Sequence, residues 1–310
     1  MDESIWIKLI IFLVLGFIFI QIFKKKIYYT EGFSQDEKFI LKKNDEVYDD
    51  FYVEMYDKLH LPHRRIPYEI KTIVETTQAD EKQSIFLDVG SGTGVVVKEL
   101  NRLGYTAIGL DKSSSMIKSC GSPLFKEGEV EDMLLFERGK FTHILCLYFT
   151  IYHFKNKHLF FRNCFSWLAP GGYLIIHLVE KDKFDTIVPV GKNLLFGSPQ
   201  KQGENRITKQ LIDFNDFKYK ADYDFSSKNV LFTETFEDSI TKNIRQNERT
   251  LYMEDIGDIL NMAMITGFVP NATLSYSLRP KEQETFVPLN LKDITGEPHQ
   301  YLYILERPLA

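Results

Sequence analysis

The longest apolar run lies at the start of the chain. Residues 5–23 (IWIKLIIFLVLGFIFIQIF) are strongly polar only at Lys8 and Gln21. At about 1.5 Å per helical residue this run spans ~28 Å, close to the hydrocarbon thickness of a bilayer. It predicts a single transmembrane helix, with Lys8 snorkelling to the headgroups. Asp2 and Glu3 precede the run, and Lys24, Lys25 and Lys26 follow it at once. The positive-inside rule then places the rest of the chain in the cytosol. A cleaved signal peptide would have a basic start, a shorter apolar core and a small-residue cleavage site, and these are lacking. Residues 1–26 therefore read as a membrane anchor with a basic stop. The polar stretch 27–45 reads as a linker, and 46–310 as one domain.

Inside that domain the hydrophobic period alternates between helix and strand. EVYDDFYVEMYDKL carries Tyr48, Tyr52, Met55, Tyr56 and Leu59 at helical spacing. PYEIKTIVETT predicts a second helix beyond Pro62 and Pro67. SIFLDVG, YTAIGLD, LFKEG and YLIIHLVE predict strands and FTHILCLYFTIYHF contains a further one, five in all, separated by the helices VVVKELNRLG (closed by Gly104), SSSMIKSC and KHLFFRNCFSWL. Strands alternating with helices predict a parallel, doubly wound α/β sheet. The period changes after Lys183. FKYKADYDF alternates apolar and polar residues and, with NVLFTETF, predicts an antiparallel hairpin with one solvated face. The region 184–250 is thus a β-rich insertion. MEDIGDILNMAMITGF predicts a late helix, and HQYLYILERP a last strand.

Composition narrows the function classes. Hydrophobic residues make up 44% and charged residues 26%, enough apolar surface for a sizeable core. Net charge is −5, and setting aside residues 1–26 leaves 34 basic and 41 acidic side chains. An overall acidic domain argues against nucleic acid as a partner, because phosphate binding needs a basic face. The three cysteines, Cys120, Cys146 and Cys164, form no CxxC pair. They exclude a disulfide framework and a zinc site and fit a reducing compartment. No metal site is expected.

The chemistry lies in Phe86-Leu87-Asp88-Val89-Gly90-Ser91-Gly92-Thr93-Gly94, a strand running into a glycine-rich turn and then a helix. Glycines allow positive φ and let a ligand touch the main chain. Asp111 ends the next strand, seventeen residues past Gly94, where a carboxylate can accept both hydroxyls of a ribose. A dinucleotide fingerprint needs G-x-G-x-x-G, whereas Val95 stands where its third glycine would fall.

This stretch resembles the class I S-adenosylmethionine-dependent methyltransferases. Their first motif is similar to LDVGSGTG, and their ribose-binding acid to Asp111 in GLDKSSSMI. Their adenine-binding motif is similar to Gly128-Glu129-Val130-Glu131-Asp132-Met133, and their turn into the fifth strand to Leu168-Ala169-Pro170-Gly171-Gly172-Tyr173-Leu174. The family's Phe-Asp strand opening is Phe141-Thr142 here. The resemblance covers about 45–180 and, more weakly, 250–306. It implies a seven-stranded Rossmann-like sheet with the last strand antiparallel. It implies S-adenosylmethionine as cofactor, held by Asp88, Gly90, Gly92, Gly94, Asp111, Glu129, Val130 and Leu147. It also implies an N-terminal helix closing over the cofactor, with Tyr48, Tyr52 and Tyr56 on it.

Methyl transfer from a sulfonium needs alignment more than a strong base. The candidates line the end of the fourth strand: Tyr148, Thr150, Tyr152 and His153, with His153 as base and Tyr152 shaping the acceptor pocket. The alternative is that LYFTIYHF is a packed aromatic segment. His177 reads as a satisfied strand histidine. Arg64 and Arg65 are either solvated or paired with a carboxylate. Arg206, Arg245 and Arg249, in or near the insertion, are candidates for an acidic acceptor. The expected activity is methyl transfer to a small-molecule, lipid or membrane-associated acceptor. The alternative is a catalytically silent scaffold tethered to the membrane.

Overall fold

A computed structural model describes residues 8, 10–16, 35, 37–192, 197–202, 205–270, 288–295 and 299–309. Residues 10–16 are helical. The expected span over 5–23 lies largely outside the described residues, and among those no helix is long and apolar enough to cross a membrane.

Two sheets organise the chain. The central one begins with β2 (Ile85–Val89), β3 (Thr106–Asp111) and β4 (Phe125–Glu127), and continues with β5 (Phe141–Cys146) and β6 (Leu168–Val179). It is completed by β11 (Val269–Pro270), β12 (Leu289–Asn290) and β13 (Gln300–Glu306). Its order is β11-β13-β6-β5-β2-β3-β4, with β12 also paired to β13. β2 to β6 are mutually parallel, and β13 runs antiparallel to β6. The antiparallel last strand agrees with expectation. The added β12 makes eight strands among the described residues, where seven were expected.

Successive residues of β2 serve opposite faces, as the period of two requires. Phe86 packs with Ile70 and Ile73 of α2 (Ile66–Thr77) and Val97 of α3 (Val95–Arg102). Leu87 faces the other core, with Met55 and Leu59 of α1 (Asp50–His60), Met116 of α4 (Ser114–Cys120), Phe160 and Trp167 of α5 (Lys157–Trp167), and Ile259 of α6 (Ile256–Thr266). The sheet is covered on both sides. Thr142, in place of the expected acid, accepts the Ile85 N–H at 2.8 Å and so ties β5 to the start of β2.

The second sheet has the order β1-β10-β9-β8-β7. Its strands are β1 (Phe39–Lys43), β7 (Lys209–Asp213), β8 (Phe217–Asp224), β9 (Val230–Asp238) and β10 (Ile244–Leu251). The β8–β9 hairpin agrees with expectation. Two other features do not. Phe39–Lys43, read as part of the linker 27–45, pairs in parallel with β10, so the folded unit already includes Phe39. β10 was not anticipated, because its inward positions are Arg245, Asn247, Arg249 and Leu251. Three polar residues on the buried face erase the apolar alternation by which a half-buried strand is recognised.

Those polar residues tie the sheet to α1. Arg245 makes a bidentate pair with Asp49, at 2.9 Å to each oxygen, and Asp49 also caps α1 by accepting the Tyr52 N–H. Arg249 pairs with Glu234 of β9, which is 0% exposed. Arg249 also donates to the hydroxyls of Tyr48 (3.2 Å) and Tyr52 (2.9 Å), and Tyr219 donates to Glu234 at 2.8 Å. Removing one member of a buried pair strands the other charge, at a cost of about 3–5 kcal/mol. Glu234→Ala is expected to lower unfolding free energy by about that amount, measured by urea titration. Leu231→Ala, on the exposed face of the same strand, should cost far less.

Candidate active site

The glycine turn after β2 is shaped by two close approaches. A Cβ on Gly90 (φ +72°) would lie 2.4 Å from Thr150 Cγ2, and one on Gly94 (φ +77°) would lie 2.5 Å from the Phe125 ring. Both positions combine positive φ with contact, so only glycine fits. Gly94 thus supports the turn from behind, packed on Phe125 and Cys120. Asp111, at the end of β3, accepts the N–H of Gly92 (2.8 Å) and of Ser113 (2.9 Å). Burial raises its pKa, and these backbone donors act against the rise. A carboxylate has about four acceptor sites, so both oxygens keep capacity for further donors.

Opposite the turn lies the loop after β5. Tyr148 (φ 47°) and Phe149 (φ 66°) both occupy the left-handed region, a strained choice for side chains of this size. The loop is held by His177, whose Nδ1 accepts the Tyr148 N–H at 3.2 Å. The Nε2–H of His177 is therefore free to donate to Gln300 Oε1 at 3.1 Å. Burial, with Arg65 adding, lowers the His177 pKa to about 3, and the ring is a neutral fixture of the strand, as expected.

Helix α1 closes the third side. Thr93 donates to Asp57 at 2.8 Å, which latches α1 to the glycine turn, and Ser113 donates to the Tyr48 carbonyl. Between turn, loop and α1 lie two adjoining cavities that share Tyr56, Gly90, Tyr148 and Thr150. The larger has about 1090 Å³ of empty space including its open mouth. It runs from Gly92, Asp111 and Met116 out to Phe184, Tyr223 and Phe232 under the second sheet. The smaller, about 370 Å³, is bounded by Arg65, Asp88, Ser91 and Leu147.

Of the sequence candidates, Gly90, Gly92, Asp111 and His153 line the larger cavity, while Asp88 and Leu147 line the smaller. Four line neither cavity. Gly94 lies behind the turn, packed on Phe125 and Cys120. Glu129 is exposed and bound to Lys112 at 2.9 Å, which also holds Asp45 at 2.8 Å. Val130 belongs to the hydrophobic core. Tyr152, assigned to the acceptor pocket, is buried; its hydroxyl accepts the Val179 N–H (2.9 Å) and donates to the Val179 carbonyl (3.3 Å). It secures β6, because a buried hydroxyl takes the nearest backbone partners. The anion-binding role considered for Arg245 and Arg249 is likewise replaced by their pairs with Asp49 and Glu234. Arg206 lies over the Phe225 ring and donates to the Lys181 carbonyl. His60, Met116, residues 184–188, Tyr223, Phe232 and Leu251 were missed. They come from segments far apart in sequence, and no local pattern marks them.

His153 is open to the larger cavity, with Nε2 3.5 Å from the Tyr48 hydroxyl. Desolvation within the crevice, then Arg249, lowers its pKa, so the imidazole is neutral and can take up a proton. His60 Nδ1 lies 3.1 Å from the Tyr148 hydroxyl, and its pKa is lowered for the same two reasons.

These features define a class I methyltransferase fold: a doubly wound sheet with an antiparallel last strand, a glycine turn and a carboxylate at the end of β3. Residues 87–176 match the family described as methyltransferase domain. A ubiquinone biosynthesis O-methyltransferase from Caulobacter sp. (strain K31) is 30% identical over 103 residues, which are 31% of this chain and 40% of that protein. The chain thus covers less than half the length of this curated relative. A solved S-adenosylmethionine-dependent methyltransferase from Clostridium acetobutylicum ATCC 824 has a TM-score of 0.58 at 15% identity, covering 84% of this chain and 98% of that one. CalS10 bound to S-adenosylmethionine, an amino pentose methyltransferase from Micromonospora echinaspora, has a TM-score of 0.50 at 15% identity, covering 77% and 90%. Residues 87–176 thus match a methyltransferase domain, and the fold around them is the one seen in solved S-adenosylmethionine-dependent methyltransferases.

Burial, with Asp111 adding, raises the pKa of Asp88 to about 8, and Arg65 acts against the rise. The folded state therefore keeps a proton that the unfolded chain releases near pH 4, and stability falls as pH climbs between those two values. The slope is at most about 1.4 kcal/mol per pH unit. Asp88→Asn should match the parent near pH 4 and exceed it in stability at pH 8, measured by denaturant titration at both pH values. An equal gap at the two would place the Asp88 titration elsewhere.

Proposed function

We propose that the chain transfers a methyl group from S-adenosylmethionine to a small-molecule acceptor held between the central sheet and the second sheet. The observation that carries this is Asp111 bound to the Gly92 N–H at the mouth of the larger cavity. The residues fit the cofactor. Asp111 retains acceptor capacity for the ribose hydroxyls. In the smaller cavity the buried Arg65 Nε and Ser91 Oγ have no hydrogen-bond partner, beside Asp88. A cation, an unpaired hydroxyl and a carboxyl suit the two charged ends of an amino acid. Arg65 and Ser91 would hold its carboxylate and Asp88 its ammonium, with Leu147 against the chain between them. When bound, the cofactor supplies an electrophilic methyl on a sulfonium.

The protein's own part is orientation and proton removal. Thr150 and Tyr148, on the strained loop, limit how the acceptor approaches the turn. His153 takes the acceptor's proton. A neutral imidazole suffices, because a hydroxyl loses its proton readily once its oxygen is being alkylated. Turnover is favoured over a silent scaffold because the larger cavity is open and an uncharged base faces it.

In this reading residues 5–23 anchor the protein in a membrane and the domain faces the cytosol. The support is the apolar run, strongly polar only at Lys8 and Gln21, with lysines after it, and the exposure of Ile10, Ile11, Phe12, Leu13, Val14 and Leu15. A tether of this kind would raise effective concentration toward a membrane-associated acceptor.

Calorimetry with S-adenosylhomocysteine tests the donor site. The full chain should bind it, and Asp111→Asn should weaken binding by about tenfold or more, the loss expected for hydrogen bonds to a charged group. Unchanged affinity in the variant would remove Asp111 from the site, and no heat from the folded parent would remove the cofactor. Deleting residues 1–26 should move the protein from the membrane pellet to the supernatant; retention in the pellet would refute the anchor.

A further inference from the structure

The outer half of the larger cavity has a distinct chemistry, and it bears on the acceptor that the proposed function leaves open. Its walls are rings and aliphatic groups. Tyr223 and Phe232 of the second sheet stack at 4.1 Å with 12° between their planes. Phe184 stands edge-on to Phe149 at 5.1 Å, and Val188 and Leu251 fill the gaps.

The charged groups on these walls are already engaged. The charge of Arg249 is paired with Glu234 and its other terminal nitrogen donates to two tyrosines, which leaves only its Nε without a partner. Asp185 is paired with Lys192 at 3.1 Å and accepts the Ile187 N–H. Asp111 belongs to the donor end. The two histidines, His60 and His153, are held neutral by their surroundings. A charged acceptor entering here would lose its hydration and, among the described residues, meet no free counter-charge, which is costly. A flat ring would gain edge and face contacts with the walls.

Resting on the methyltransferase reading, the geometry points to a neutral aromatic alcohol, a phenol-type hydroxyl on a planar ring, as the acceptor class. The second sheet is what selects it, through Phe232 and Tyr223. In the step, the hydroxyl oxygen forms a bond to the methyl carbon as the S–CH₃ bond breaks. Sulfur keeps that electron pair and becomes a neutral thioether. The hydroxyl proton passes to the His153 imidazole, and the products are the aryl methyl ether, the thioether and one proton. No oxidant or metal enters the balance.

The test measures binding of 2-naphthol, 2-naphthoate and decahydro-2-naphthol to the full chain by calorimetry, with and without S-adenosylhomocysteine, subtracting blanks for any detergent. 2-Naphthol is expected to bind about tenfold or more tighter than the carboxylate of the same shape, because that anion must be desolvated without a partner. It is expected to bind several-fold tighter than the saturated alcohol, which lacks the ring contacts. Phe232→Leu, which keeps an apolar wall but removes the ring, should erase most of the preference for 2-naphthol over the saturated alcohol and leave S-adenosylhomocysteine affinity unchanged. The ranking in the parent protein is an independent readout should that variant fold poorly. Equal or tighter binding of 2-naphthoate, or no preference for the aromatic ring, overturns the proposal. If S-adenosylhomocysteine binds and the ranking fails, the acceptor class falls and the donor site stands. If the ranking holds without S-adenosylhomocysteine binding, the donor reading falls and the class of occupant stands.

Discussion

A buried arginine must be paired, and the pairing of Arg249 with Glu234 is the constraint around which this molecule is arranged. Neither group reaches water to a useful extent, so their geometry is set by each other and by the tyrosines that bind both, with only the Arg249 Nε left unpartnered. Tyr52 comes from α1, Tyr219 from β8, Glu234 from β9 and Arg249 from β10. One ion pair therefore fixes three strands of the second sheet to the helix that closes the site. Tyr48, also bound by Arg249, carries the constraint to the cavity wall, where it faces His153. The charge is structural, and because it is consumed there it is not left free for the cavity above it.

The same logic explains the position of α1. Arg245 holds the cap of the helix, Thr93 its middle, and the His60 ring near its end meets Tyr148. A helix held at three points by polar contacts, with Tyr52, Met55 and Leu59 buried beneath it, has one seat over the glycine turn. The turn needs such a cover, since its glycines leave main chain that only a ligand or a packed neighbour can shield.

The two halves of the site follow different physics. The half proposed for the donor is a backbone device: glycines that cannot carry a Cβ, a carboxylate held by N–H groups, and a buried Asp88 with a raised pKa. The half proposed for the acceptor is a side-chain device assembled from the second sheet, the loop after β5 and the segment 184–188. The first half repeats wherever this fold holds the same ligand, and the second can change freely with the insertion. A fold-level likeness at 15% identity speaks to the central sheet and is silent about both halves of the site.

By itself the sequence determined the central sheet, the glycine turn and the place of Asp111, because each rests on local pattern: a period of two or 3.6, a turn that only glycine permits, a carboxylate at a strand end; the antiparallel last strand followed from the family resemblance. It also marked His177 as a strand residue. It did not determine β1, β10 or the closure of the cavity, and it assigned Tyr152 and Glu129 to a wall they do not reach. Those depend on partners far away in the chain. Arg245 and Arg249 read in sequence as candidates for an acidic acceptor, and Asp49, Glu234, Tyr48 and Tyr52, brought close by folding, are what make their burial tolerable. Tyr152 looks free to face a ligand until β6 supplies both partners for its hydroxyl. Local pattern fixes where the backbone goes, and the pairing of buried polar groups, which is non-local, decides which side chains are left for chemistry.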